Sequence, residues 1–337
     1  MADSNFEKLY YPEIDVEFVR VNSSIWLARD HRLSRYVALK IVIAGKSQES
    51  REGGILCLLA KGDPNCVGRQ FNPPLLDEFF FDGPNGKHLC LVQEAAGYNV
   101  AASKENGSSC MFPRDAARSI AAQLIIGLCY LHKNDICHGD LYPFLLRMED
   151  PEIIITDYGT SFVAFQTSSP TLQTPDLYAP PEALFEEPIM IPTAADIWTL
   201  GVSLYEVLGR RRLFEAFAWC PDDMIGEMVD TLGQLPSKWW DSCEARSESL
   251  NQNGAWSLHQ RMWTMGRGKT PESCEWDVST MSFEPEKRPT VKQLLESEYM
   301  VKWTLPAWER QKQRKMEKER KFVQGLAWSG LCTQFPP

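Results

Sequence analysis

The stretch Ile153-Ile154-Ile155-Thr156-Asp157-Tyr158-Gly159, read with Ile136-Cys137-His138-Gly139-Asp140-Leu141 upstream, decides how this chain is understood. Each segment ends a short apolar run on an aspartate. A lone aspartate beside a glycine reads as a turn. Two of them at this separation, each closing an apolar run, suit phosphoryl transfer. One carboxylate takes or orients the proton of an attacking hydroxyl, and the other holds Mg²⁺ against nucleotide phosphates.

Working outward, Val37-Ala38-Leu39-Lys40 places a lysine in an apolar strand, where an unpaired charge would be costly. Glu52 precedes Ile55-Leu56. Further on come Pro180-Pro181-Glu182, Asp196-Ile197-Trp198 with Gly201, and Arg288 within Phe283-Glu284-Pro285-Glu286-Lys287-Arg288-Pro289. In this order, from about Trp26 to Trp308, the series resembles the protein kinase family. The resemblance implies an α+β, bilobal fold with a small, mostly β N-lobe and a larger, mostly α C-lobe. It implies that Lys40, held by Glu52, neutralises the phosphates of ATP, that Asp157 binds Mg²⁺, and that Asp140 is the catalytic base. Glu94-Ala95-Ala96-Gly97 matches the hinge whose backbone bonds adenine, with Gln93 guarding the back of the pocket. Arg288 is expected to pair with Glu182, and His138 to pack on Tyr158 rather than act as a base. His31, His88, His132 and His259 show no partner at metal or triad spacing.

The chain of 337 residues is 44% hydrophobic and 24% charged, an ordinary globular composition with room for two lobes. No apolar stretch is long enough to span a bilayer, and Met1-Ala2-Asp3-Ser4 does not read as a signal peptide. The ten cysteines are scattered without zinc-ligand spacing, which fits a reduced interior, the cytoplasm or the nucleus. A net charge of −10 argues against a nucleic acid partner and suits a basic protein substrate, although it equally serves solubility. Oligomeric state is not legible.

The organisation expected is a truncated segment 1–25, an N-lobe 26–94, a C-lobe 95–308 with an insert at about 218–275, and a charged tail 309–337. Strands are expected over 24–29, 36–43, 75–81 and 88–92. Helices are expected over 47–60, 116–132 and 196–208. Gly53-Gly54 should loosen the first helix by roughly 1 kcal/mol each. The run 220–240, the Trp-Leu-Ala-Arg-Asp run at 26–30 and the ending 302–309 resemble the SR-protein-kinase-like branch, which implies an Arg/Ser-rich protein substrate. The tryptophans of that run read as packing residues. The tail reads as a solvated helix, with a nuclear-import patch as its alternative. Segment 160–174 is expected to be the activation segment, with Ser168, Ser169, Thr171 and Thr174 as hydroxyls open to phosphorylation.

Two features of the family are missing. No glycine occurs before Gly45, so the backbone cradle that glycines form over phosphates is not evident. Matching 10–16 to the family's leading segment removes most of the first strand and its loop. The position five residues after Asp140 is Leu145, where the family carries a second metal-binding asparagine. Tyr142 replaces a lysine and Gly139 an arginine. Two functions follow: a serine/threonine protein kinase of the SR-protein-kinase-like branch, or a pseudokinase that binds nucleotide or partners without useful transfer.

Overall fold

In the computed structural model, which describes residues 10–19, 22–97, 99–105, 111–141, 145–146, 152–166, 170–210, 212–214, 221–242 and 281–328, the N-terminal part is an antiparallel sheet. Strands β1 (Tyr10–Val19), β2 (Ser23–Asp30), β3 (Arg35–Val42), β4 (Asp77–Gly83) and β5 (Gly86–Glu94) lie in the order β1-β2-β3-β5-β4. Val37 and Leu39 of β3 are buried with Ala28, Cys90 and Val92. Strand alternation turns Lys40 to the opposite face, beside its ladder partner Leu91 and next to Val42. The turn between β2 and β3 is fixed by Asp30, whose Oδ1 accepts from the N–H groups of Arg32 (2.9 Å) and Leu33 (3.2 Å).

The segment 1–25, read from the sequence as truncated, contains a full strand. Here β1 pairs with β2 from Tyr10↔Asp30 to Val19↔Ser24, with a bulge between Pro12 and Glu17. As the outer strand of the sheet, β1 is where a proline and a bulge are tolerated. The lobe therefore begins before residue 26.

Helix α1 (Ala44–Ser47) is followed by α2 (Glu52–Ala60), so the expected single helix over 47–60 is broken at residues 48–51. Starting α2 at Glu52 places Gly53 and Gly54 in its first turn, away from the interior where glycine costs most. At Gly53 a Cβ would meet only the carboxylate end of the exposed Glu78 side chain, which can swing aside. Ile55, Leu56 and Leu59 are buried, as their spacing predicts.

The C-terminal part is helical, with α3 (Val100–Glu105), α4 (Arg114–Lys133), α5 (Pro181–Leu184), α6 (Pro192–Leu208), α7 (Pro221–Leu232), α8 (Ser237–Ser242), α9 (Val291–Leu295) and α10 (Leu305–Trp328). Ile120, Leu124, Leu128 and Leu131 make α4 the axis of the main core. A second core gathers Trp198, Phe214, Met224, Met228 and Trp239. Trp239 stacks on Phe185 at 4.9 Å, the packing role expected of this run. Residues 243–280, most of the insert, lie outside the described residues. Two short ladders carry the functional loops: β6 (Ile136–Cys137) with β9 (Phe162–Val163), and β7 (Leu145–Leu146) with β8 (Ile153–Ile154).

Helix α10 packs on α4 through its first half, with Arg310 bonded to Asp115 at 3.0 Å, and residues 316–322 are exposed. No helix among the described residues is long and apolar enough to cross a membrane.

Candidate active site

Lys40 is carried by β3 and Glu52 by the first turn of α2. Asp157 leads into a 3₁₀ turn, Tyr158–Thr160. The Lys40 Nζ lies 2.6 Å from Glu52 Oε2 and 2.6 Å from Asp157 Oδ1. Lys40 and Glu52 are buried, whereas the Asp157 side chain retains 21% exposure. One cation thus serves two carboxylates, leaving the cluster one negative charge in excess. The Glu52 Oε1 is also buried, without a hydrogen-bond partner among the described residues. Such a site favours a further cation over an isolated negative charge. The backbone of Gly159 lies directly over the cluster. A Cβ there would sit 3.4 Å from Glu52 Oε2, 3.6 Å from Asp157 Oδ1 and 3.7 Å from Lys40 Nζ.

Asp157 adopts φ 70°, ψ 63°, a left-handed conformation that costs a non-glycine residue about 1–3 kcal/mol and needs its surroundings to enforce it. One such constraint is His138. Its Nε2 lies 3.1 Å from the Thr156 carbonyl, and its Nδ1 lies 3.3 Å from the N–H of Asp140. Both bonds form together in the neutral tautomer with hydrogen on Nε2. Burial holds the imidazole below its usual pKa and so maintains that neutral form. His138 therefore ties the backbone beside Asp157 to that of Asp140. Its ring lies against Tyr158, centroids 5.2 Å apart, as expected.

Asp196, at the start of α6, holds the other side of this loop. Its Oδ2 accepts from His138 N–H at 2.8 Å and its Oδ1 from Gly139 N–H at 3.0 Å, while His132 Nε2 lies 3.0 Å from Oδ2. This role was missed from the sequence. Its signal was an acid inside the apolar start of a buried helix, which requires buried partners. His132, Cys137 and Asp196 offer ligand atoms within 4.8 Å of one another, a grouping their sequence spacing did not suggest. Both Asp196 oxygens already serve backbone donors, and burial raises the Cys137 pKa, keeping the thiol protonated. The grouping acts as a clamp rather than a metal centre.

Gly139, where the family carries an arginine, has φ 77°, and a Cβ there would meet the Thr160 carbonyl at 2.9 Å. The Gly139 carbonyl accepts from the Thr174 hydroxyl at 2.8 Å. Thr174 is therefore buried and engaged; residues 167–169 lie outside the described residues.

The structure thus brings Lys40, Glu52 and Asp157 into contact and links Asp140 to them through His138. Glu94 lies further along. Lys40 pairs with Leu91 and Val37 with Glu94, so three ladder steps, about 10 Å, separate the two ends of the candidate nucleotide site. Glu182 and Arg288 form the expected pair with two parallel bonds of 2.7 and 2.6 Å. Residues 20–21 and 142–144 lie outside the described residues, so the phosphate-loop expectation and Tyr142 fall there. At Leu145 the described backbone belongs to β7. The hard, partly exposed carboxylate of Asp157 fits Mg²⁺, which needs only one or two carboxylates when substrate phosphates and water complete its shell.

A family model described as "Protein kinase domain" matches residues 76–300. The chain is 26% identical, over an alignment of 366 positions covering 83% of each protein, to the serine/threonine-protein kinase SRPK of Physarum polycephalum. It is 37% identical over 125 residues to protein kinase dsk1 of Schizosaccharomyces pombe, covering 36% of this chain and 23% of that one. It is 34% identical over 125 residues to SRSF protein kinase 3 of Homo sapiens, covering 36% and 22%.

Proposed function

Since this chain belongs to the protein kinase family, we propose that it acts as an SR-protein-kinase-like serine/threonine protein kinase, passing the γ-phosphate of ATP to protein hydroxyls. The contact of Lys40 with both Glu52 and Asp157 carries this reading. Lys40 neutralises phosphate charge, and Glu52 keeps the lysine in place. Asp157 would hold Mg²⁺, which would supply neutralisation of the charge building on the phosphoryl oxygens. Asp140 accepts the proton leaving the attacking hydroxyl. Glu94 and the backbone that follows it receive adenine, at the distance set by the ladder.

A basic, Arg/Ser-rich protein is the substrate class that suits a chain of net charge −10 and its similarity to the SRSF kinase. The same charge disfavours nucleic acid, and no membrane role is assigned. Cytoplasm or nucleus is the proposed location, in keeping with unpaired cysteines at Cys57, Cys66, Cys90, Cys129 and Cys137.

Incubation of the protein with labelled ATP, Mg²⁺ and an Arg/Ser-rich peptide tests this directly. Transfer that Asp140→Asn abolishes is the expected result. Nucleotide binding by folded protein without transfer would instead support the pseudokinase reading, whose basis is Leu145 and the absence of early glycines.

A further inference from the structure

Behind Asp157 lies a buried hydrogen bond that the proposed chemistry does not use. The Tyr158 side chain is fully buried, and its hydroxyl lies 2.8 Å from Asn72 Oδ1 and 3.1 Å from the Ile155 carbonyl. A hydroxyl has one hydrogen, so it donates to one acceptor at a time, and Asn72 is the nearer. Asn72 cannot turn its amide around. Its Nδ2 donates to the carbonyls of Gly68 (2.8 Å) and Gly127 (3.1 Å), and a flipped amide would oppose oxygen to oxygen at both. The neighbouring Phe71 carbonyl accepts from Ile155 N–H at 2.8 Å, so residues 71 and 72 grip the turn 155–158 at both ends. The grip is itself braced. Gly127 lies so close that a Cβ would meet Ile155 Cδ1 at 2.7 Å, and Trp308 of α10 packs edge-on against Phe71 at 5.8 Å.

Resting on the kinase reading above, we propose that Tyr158 and Asn72 are positioning residues. Their hydrogen bond fixes the turn that keeps Asp157 in its left-handed conformation, with its carboxylate presented to Lys40 and to the metal. Neither residue touches the reacting atoms. A phenylalanine at 158 would fill the same apolar space without fastening the turn, while Asn72 Oδ1 would lose its donor.

Tyr158→Phe tests this with two measurements. Hydrogen exchange requires no activity: amides 155–160 should exchange about tenfold faster, while those of 120–131 in α4 keep their wild-type protection. In phosphotransfer, the Mg²⁺ concentration for half-maximal rate should rise about fivefold to tenfold, with KM for ATP at saturating Mg²⁺ within about twofold of wild type. Unchanged exchange at 155–160, or an increase spread evenly over the protein, would overturn the proposal, as would an unchanged Mg²⁺ requirement. If the wild type itself transfers no phosphate, the kinase reading fails, and the exchange measurement alone decides whether the hydroxyl holds the turn.

Discussion

Lys40 Nζ and Asp157 Oδ1 meet at 2.6 Å across 117 residues of sequence, joining a strand of the sheet to the loop that follows β8. Because Glu52 bonds the same nitrogen, removing the lysine leaves a buried carboxylate without its cation. Lys40→Met is expected to lower transfer by on the order of a hundredfold. It should also destabilise the fold by about 3–5 kcal/mol, read by urea unfolding. Adding Glu52→Gln should recover part of the stability and none of the transfer. Additive stability losses in the double variant would argue against the pairing.

His138 predicts an acid sensitivity. Burial depresses its pKa below the usual value of about 6.5, so the unfolded chain takes up a proton that the folded chain refuses. Its contribution is complete above about pH 6.5 and is lost as pH falls from there through the folded pKa, at up to about 1.4 kcal/mol per pH unit. Over that window, His138→Gln should show a shallower loss of stability with acid than the wild type. Parallel curves would remove His138 as the cause.

At Gly139 the positive φ and the nearby Thr160 carbonyl both oppose a side chain. Gly139→Ala should cost about 1–2 kcal/mol. Restoring the family's arginine there should likewise weaken this protein, as measured by thermal unfolding.

Arg288 bonds both Glu182 oxygens and the carbonyls of Ser282, Ala194 and Phe283, with its side chain fully buried. A lysine has three donors on one point and cannot reproduce that fork. Arg288→Lys should destabilise by more than about 2 kcal/mol. A variant with wild-type stability would show that charge alone suffices.

The sequence was most readable where chemistry demands an uncommon residue in an apolar setting: Lys40 in its strand, Asp157 after three isoleucines, Arg288 near the end. Lys40 and Arg288 met the expected partners, Glu52 and Glu182, because a buried charge admits few alternatives. Constraints that depend on contacts distant in sequence were not readable. His138 has no local reason to meet Thr156, nor Asp196 to meet Gly139, and Tyr158 differs from a phenylalanine only through Asn72. Strand β1 was legible in principle, since Ile14, Val16 and Phe18 alternate. The break between α1 and α2 follows from Gln48, Glu49, Ser50 and Arg51, a polar run without the apolar spacing of a helix.

The most direct test of the central claim is the thermal stabilisation of the protein by ATP, with and without Mg²⁺, in the wild type and in Asp157→Asn. At about a hundred times its dissociation constant, Mg-ATP should stabilise the wild type by about 2.7 kcal/mol. Metal-free ATP should give less, and Asp157→Asn should erase the difference. Equal stabilisation of both proteins, or none of either, would contradict the assignment of Lys40 and Asp157 to a nucleotide's phosphates.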